Sequence, residues 1–453
     1  MKYFAVRQSG DLTSGTAWPA QAPALRLLEM PTRLSVPLAT RPVPGPIAHG
    51  LTGTLVAKGQ RLGDLGREGS SAALSPTSGR IIGTSQVQLL NGFTVPAVDI
   101  EADFEDRPLP GESHDVRHAH EQHEQIEDLQ IAGPGNLAEW IDRLRHAGVW
   151  AERPASPDLL AQLHRALRQP IDTILCNLLD DEPTMRLNSI LAARSGPLLL
   201  AGVQLLARLT EARQVSLIVE AGSPGKWWHP LRRLARKAEM EVVPILNDYP
   251  QSDPTMLLYG LLKRKLKAGR SPGDQRVLML DAAAAIAIGR CAARAQPMLQ
   301  VPLAVRDHVR RQTHFVIAPV GISLRDVLKQ CGLSTEGIEL RRGGLLRQNT
   351  ISPEAVVSGG ELTIHVMPRQ TSPVPDPCIR CAWCVESCPT LVQPAGLLEA
   401  AQRGNLELAR GYGLDSCIEC GVCSFVCPSH LPILQAIRSL KLPSPLGAPR
   451  GEG

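Results

Sequence analysis

Two stretches near the C-terminus, DPCIRCAWCVESCP (Asp376–Pro389) and GLDSCIECGVCSFVCPSHLPI (Gly413–Ile433), decide how the chain is read. Cys378, Cys381, Cys384 and Cys388, followed by Pro389, give C-x2-C-x2-C-x3-C-P, and Cys417, Cys420, Cys423 and Cys427, followed by Pro428, repeat it without deviation. A cubane iron–sulfur cluster needs four thiolates around one small object. Two-residue gaps let one tight loop wrap three irons, while the cysteine before the Pro reaches elsewhere. In two-cluster ferredoxins that fourth cysteine serves the other cluster. The spacing therefore assigns Cys378, Cys381, Cys384 and Cys427 to one [4Fe-4S] cluster, and Cys417, Cys420, Cys423 and Cys388 to the second. Four thiolates can also hold structural zinc, but zinc modules rarely place three cysteines at successive two-residue gaps with a trailing Pro. Between the motifs, PTLVQPAGLLEAAQRGNLELARGYGL has two helical stretches and no hairpin, which reads as a helical two-cluster ferredoxin. Ile379, Ala382, Trp383, Ile418, Val422 and Phe425 are expected to shield the clusters from water.

Eight of the eleven cysteines fall in these motifs. That clustering points to metal binding in a reducing compartment and away from a disulfide framework. Cys176 and Cys331 stand alone in apolar contexts and read as core residues, and Cys291 is the third outside the motifs. The chain has 453 residues, 43% hydrophobic and 20% charged, so several domains are expected. A net charge of +4 gives no reason to expect nucleic acid. The basic runs RRLARK (232–237) and KRKLK (263–267) read as solvated helix faces. The N-terminal MKYFAVRQSG lacks the apolar stretch of a secretory signal. No apolar run reaches the ~18–20 residues that cross a bilayer, so any membrane association is expected to be peripheral.

Upstream, RLSVPL, LTGTLVAKGQRLGDL, SPTSGRIIG and FTVPAVDIE read as short strands with Gly and Pro turns, an N-terminal β domain over 1–103. GTLVAKGQRLG and SPTSGRIIG resemble the barrel-sandwich fold of biotinyl and lipoyl carriers, but Lys58 lacks the carrier's modification context. Residues 104–136 read as a polar linker whose His114, His118, His120 and His123 are solvated. Over 137–316, the helices LAEWIDRLRHAG and LLAQLHRALR and the strands IDTILCNL, VSLIVEAG, MEVVPIL and RVLMLDA alternate. Such alternation implies a Rossmann-like α/β domain with a largely parallel sheet. SLRDVLKQCG, IELRRGG and ELTIHVMP form a small α+β module over 317–371, the ferredoxin domain covers 372–441, and 442–453 reads as a disordered tail.

With the cysteine region placed, this order of modules resembles RnfC, the peripheral subunit of the Rnf ion-translocating electron transport complex, over nearly the full length. Both cysteine segments are close to the family's cluster signatures. DYPQSD (248–253) looks like its YPQG segment, PVGISLRDVLKQCG (319–332) like the start of its SLBB β-grasp domain, and RRGG (341–344) like the turn that follows. The resemblance extends to the flavoprotein subunit of respiratory complex I. It implies an electron-transfer subunit on the cytoplasmic side of the bacterial inner membrane, peripheral, passing electrons between a soluble donor, NADH in the family, and membrane flavin subunits. Its partners would be those subunits or a soluble redox carrier. A soluble cobalamin-reductase-like (PduS type) oxidoreductase is the alternative, and a non-redox scaffold with structural clusters is another.

The resemblance also implies FMN, whose phosphate needs a Gly-rich loop. The family places that loop after a helix ending in AG. Here LRHAG (144–148) is followed by VWAERPASPDLL, without a glycine, and Trp150, Glu152 and Pro154 would crowd or repel a phosphate. The family's NGAECEPY appears as CNLLDDEPTMR, keeping Asn177, Glu182 and Pro183, and its QNVGTAAAI as LDAAAAIAI, where Asp281 replaces a neutral side chain. One reading keeps an FMN site with altered loops. The other makes the α/β domain a retained scaffold whose NADH–FMN chemistry has lapsed, with Glu182 a remnant of the nucleotide site or a helix-start carboxylate.

Overall fold

The structure, a computed structural model, describes residues 22–42, 48, 52–63, 70–107, 135–153, 156–182, 184–221, 228–246, 248–266, 270–347, 349–369 and 373–441. The four linker histidines, Pro154, Pro183 and the tail from 442 lie outside these residues. It is a mixed α/β structure, with a C-terminal cysteine region that carries its own small core.

Strand β1 (Arg26–Leu27) is followed by β2 (Arg33–Pro37), β3 (Leu55–Val56), β4 (Gly79–Gln88) and β5 (Thr94–Ala102). The last four make one antiparallel sheet in the order β2-β5-β4-β3. Alternation drives it: Leu34 and Val36 point inward beside Ile100 and Val98, while Arg33 faces out.

Helix α1 (Leu137–His146) starts at Asn136, whose side chain accepts the Glu139 amide, and α2 (Leu159–Ala166) starts at Asp158 in the same way. Then come β6 (Thr173–Asn177), α3 (Leu187–Arg194), α4 (Gly196–Thr210), β7 (Gln214–Glu220), α5 (His229–Lys237), β8 (Glu241–Ile245), α6 (Pro254–Leu262), β9 (Val277–Asp281) and α7 (Ala282–Arg294). The four strands pair parallel in the order β8-β7-β6-β9, as the alternation of strand and helix predicts. All five residues of β6 and of β9 are buried, the pattern of strands covered on both faces. Their register sets Asn177 beside Asp281 at the C-terminal edge.

Next come β10 (Gln300–Asp307), β11 (Gln312–Pro319), α8 (Leu324–Gln330), β12 (Ile338–Arg342), β13 (Asn349–Ile351) and β14 (Thr363–Pro368). They join one sheet, β1-β11-β10-β14-β12-β13, which recruits β1 from the N-terminal segment. The expected boundary at 316/317 falls inside β11. The β10–β11 hairpin belongs with this sheet because β10 hydrogen-bonds to β14.

The cysteine region holds α9 (Trp383–Glu386), α10 (Pro394–Gln402), α11 (Leu406–Gly411), α12 (Val422–Phe425) and α13 (Ile433–Lys441) around Leu397, Ala400, Ala409, Leu414 and Ile437. It meets the body at a small apolar contact of Tyr249, Leu346, Cys420 and Val422. Among the described residues no single helix is long and apolar enough to cross a membrane. The pair α3–α4 would pass by length and composition, but it bends by 94°.

Candidate functional site

The two cysteine loops share one backbone design. Arg380 and Glu419 occupy equivalent positions with φ 57° and 54°, and Ala382 and Gly421 do so with φ 66° and 82°. The left-handed turns curl each loop so that its three cysteines converge. The chain then crosses over. Cys378, Cys381 and Cys384 line one cavity together with Cys427, and Cys417, Cys420 and Cys423 line another together with Cys388. All eight are free thiols. Among the described residues no three donors close to the spacing that holds a single ion, which a structural zinc site requires. The four-thiol cages suit the larger cubane.

The two cages differ in their surroundings. Around the first, Cys378 and Cys381 are exposed, as are Ala382, Ile379 (68%) and Trp383 (54%). The expected shielding by these residues and by Phe425, also exposed, is not found: they form an open apolar rim. Val422, by contrast, is fully buried and Ile418 is half-buried. The second cage lies against the body. The Tyr249 hydroxyl donates to the Cys420 carbonyl at 2.5 Å, and Lys441 donates to the Cys417 carbonyl at 2.5 Å. Arg438 pairs with Glu419 at 3.1 Å and donates to the Arg347 carbonyl. Cys176, Cys291 and Cys331 are buried, away from both cages.

The segments expected to form a flavin site do come together, but they close on one another. Arg153 reaches Asp281 with Nε at 2.6 Å from Oδ2 and Nη2 at 2.5 Å from Oδ1, and both side chains are buried. Arg153 also donates to the Gly359 carbonyl. Asp281 caps α7, accepting the Ala284 amide at 2.9 Å. Trp150 packs on Gly359 and Gly360, where a Cβ would meet its atoms at 2.6 Å. Glu152 turns outward to Arg41, with Nε at 3.0 Å.

Three carboxylates follow β6. Burial pushes Asp180 up to about 8 and Asp181 up to about 6, the latter against the pull of Arg347. Burial also works to raise Glu182. It is overcome by His365 at 3.2 Å, the Thr184 hydroxyl at 2.7 Å and the Leu345 amide at 2.9 Å, which together hold the carboxyl down to about 2. His365 continues to His308 at 2.9 Å. Glu182 thus fastens the α/β layer to the turn before β13, and its acceptor oxygens are engaged within the protein.

Known proteins match both regions of this geometry. The family model of the 4Fe-4S dicluster domain matches residues 377–432, and that of the Nuo51 FMN-binding domain matches residues 158–290. The RnfC-type component of the ion-translocating oxidoreductase complex of Rhodobacter capsulatus is 25% identical over 398 residues, 85% of this chain and 73% of its own length. The chain is RnfC-like. The corresponding component of the Na(+)-translocating ferredoxin:NAD(+) oxidoreductase complex of Acetobacterium woodii is 22% identical, over 78% of this chain and 77% of its own. An NAD+-reducing [NiFe]-hydrogenase in the H2-reduced state aligns at a TM-score of 0.49 and 14% identity, over 69% of this chain and 64% of its own.

The FMN-binding family match raises the question whether this RnfC-like chain still suits FMN. A flavin phosphate is held by closely approaching backbone N–H groups at a glycine loop or helix N-terminus. Here residues 149–153 carry no glycine, Trp150 occupies the space over Gly359 and Gly360, and the N-terminus of α7 already holds a carboxylate neutralised by Arg153. The residues present do not fit the group. Sequence reading found Trp150 and Asp281 but missed Arg153. The appearance of a cation in the loop together with a new carboxylate at Asp281 was the signal that could have paired them.

Proposed function

We propose that this chain is the RnfC-type electron-transfer component of an Rnf-type ion-translocating oxidoreductase complex, relaying electrons through two [4Fe-4S] clusters to or from partner subunits. We assign Cys378, Cys381, Cys384 and Cys427 to one cluster, and Cys388, Cys417, Cys420 and Cys423 to the other. The observation that carries this reading is the crossed grouping of the eight cysteines into two four-thiol cavities. The clusters would supply one-electron exchange. The chain's part is to hold eight thiolates, leave the first cage open to a partner through Ile379 and Trp383, and bury the second against the body.

The closure of Arg153 on Asp281 supports a route that bypasses flavin on this chain, the α/β layer serving as frame. The N-terminal sheet β2-β5-β4-β3 is read as barrel-sandwich-like. The module with α8, whose Leu324, Val327 and Leu328 are buried, is read as an SLBB-type β-grasp. Placement on the cytoplasmic face of the membrane, held by partner subunits, goes with this function.

The test is a cofactor assay on purified chain. About eight irons per chain, clusters reversibly reducible by dithionite, and flavin far below one per chain are expected. Stoichiometric FMN with cluster reduction by NADH alone would overturn the flavin-free route. Iron near one or two per chain would overturn the cluster assignment.

A further inference from the structure

The second cage is pressed on the body by residues outside the cysteine motif. Tyr249, 5% exposed, gives its hydroxyl to the Cys420 carbonyl. The buried guanidinium of Arg347 lies against that same hydroxyl, and its Nε has no hydrogen-bond partner. The turn that carries Arg347 touches the cysteine loop directly, since a Cβ on Gly421 would stand 2.0 Å from the Leu346 carbonyl oxygen. On its other side Arg347 faces Asp181 and Asp253, both of which burial pushes toward the neutral form. The first cage, with Cys378 and Cys381 open to solvent, has no buried arginine among its lining residues.

A cluster that accepts one electron gains one negative charge. A cation fixed nearby in a water-poor setting stabilises the reduced form, and hydrogen bonds around the thiolates act in the same direction. We propose that Arg347, held by Tyr249 against the backbone of Cys420, is a positioning residue that raises the reduction potential of the second cluster. This rests on the ligand assignment above. The step concerned is the one-electron reduction from 2+ to 1+, with the electron supplied by the mediator and no bond made or broken. Asp181 and Asp253 oppose the arginine, and they remain when it is removed. Loss of Arg347 therefore lowers the potential whether or not they take up protons.

The experiment is an EPR-monitored redox titration of the full, cluster-loaded chain, with Cys381→Ser identifying the signal of the first cluster. Arg347→Gln is expected to weaken reduction of the second cluster at least tenfold, ~59 mV for one electron, and to leave the first unmoved. Arg347→Lys should recover most of the shift. Tyr249→Phe, which keeps the charge, should move the potential the same way by less, and it carries the test if Arg347→Gln fails to load iron. Unchanged potentials with both signals present, or equal shifts in both clusters, would overturn the proposal. A wild-type protein without two distinguishable reduced clusters would instead overturn the ligand assignment.

Discussion

Consider removing one side of the Arg153–Asp281 pair. The side chains are 6% and 2% exposed and make two parallel N–H···O contacts at 2.5 and 2.6 Å. Arg153→Met strips these from Asp281 and leaves its carboxylate with the Ala284 amide alone among its hydrogen bonds here. Asp281→Asn keeps that helix cap but leaves a buried guanidinium facing a neutral amide and the Gly359 carbonyl. Breaking a buried pair from one side costs about 3–5 kcal/mol, because the surviving charge has no compensation. Removing both charges is often close to neutral, and the Asn cap preserves its own ~1 kcal/mol. Each single variant should lose about 3–5 kcal/mol and the double variant no more than about 2, a coupling well above additivity. Urea unfolding followed by far-UV circular dichroism, compared at equal m across the transition of the α/β layer, measures it. If the double variant loses the sum of the singles, the pair is not a compensated ion pair and the account of the closed site is wrong.

Three further outcomes follow from the geometry. Gly421→Ala places a Cβ 2.0 Å from a backbone oxygen at φ 82° and should undock the cysteine region, read as faster proteolysis between 369 and 376. Gly404→Ala, at φ 60° with open space around it, should cost only ~1–2 kcal/mol and leave that cleavage unchanged. Asp180 sits in its native setting at about 8, well above an ordinary carboxylate. The folded state therefore holds this proton longer than the unfolded chain, so its stabilising contribution is full below pH ~4 and is lost as pH rises toward ~8. Glu182, depressed to about 2, contributes above pH ~4.5 and loses that contribution as pH falls toward 2. Asp180→Asn, which can still accept the Asn188 amide, should flatten the decline in stability between pH 5 and 8, and an unchanged slope counts against the assignment. Trp383→Ala should slow electron exchange with a redox partner at unchanged iron content, and a rate equal to wild type would remove the first cage's apolar rim as the exchange face.

How much was legible beforehand depends on range. The cysteine cages were readable because ligand chemistry fixes spacing locally, and β6, β7, β8 and β9 were readable because a buried parallel strand is a short unbroken apolar run. The β10–β11 hairpin was overlooked although Val301, Leu303 and Val305 alternate with less apolar neighbours, since its turn, His308–Arg311, carries charge and no Gly or Pro. Its membership in the last sheet depends on pairing Ala304 with Thr363, a contact no local pattern announces. The exposure of Ile379 and Trp383 was misjudged for a related reason: apolar character says that a residue prefers burial, not that the fold supplies a cover. Arg347 and Tyr249 were invisible as neighbours of Cys420 because they come from distant segments whose meeting is set by packing of the whole chain.

The Arg153–Asp281 pair bears on how the α/β layer should be regarded. A loop that had only lost its glycines would leave a hole over Gly359 and Gly360, and a new aspartate at the start of α7 would leave a buried charge costing several kcal/mol. Neither is present: Trp150 fills the first, and Arg153 neutralises the second while satisfying the Gly359 carbonyl. The layer is therefore stable by its own side chains. That stability matters to the clusters, because Tyr249 leaves the segment before α6 and Glu182 leaves the end of β6 to fix the turn that carries Arg347 against Cys420. A frame that needs no flavin to hold its shape can still set the electrostatic surroundings of the second cage, which gives the α/β layer a physical role in electron transfer without a cofactor of its own.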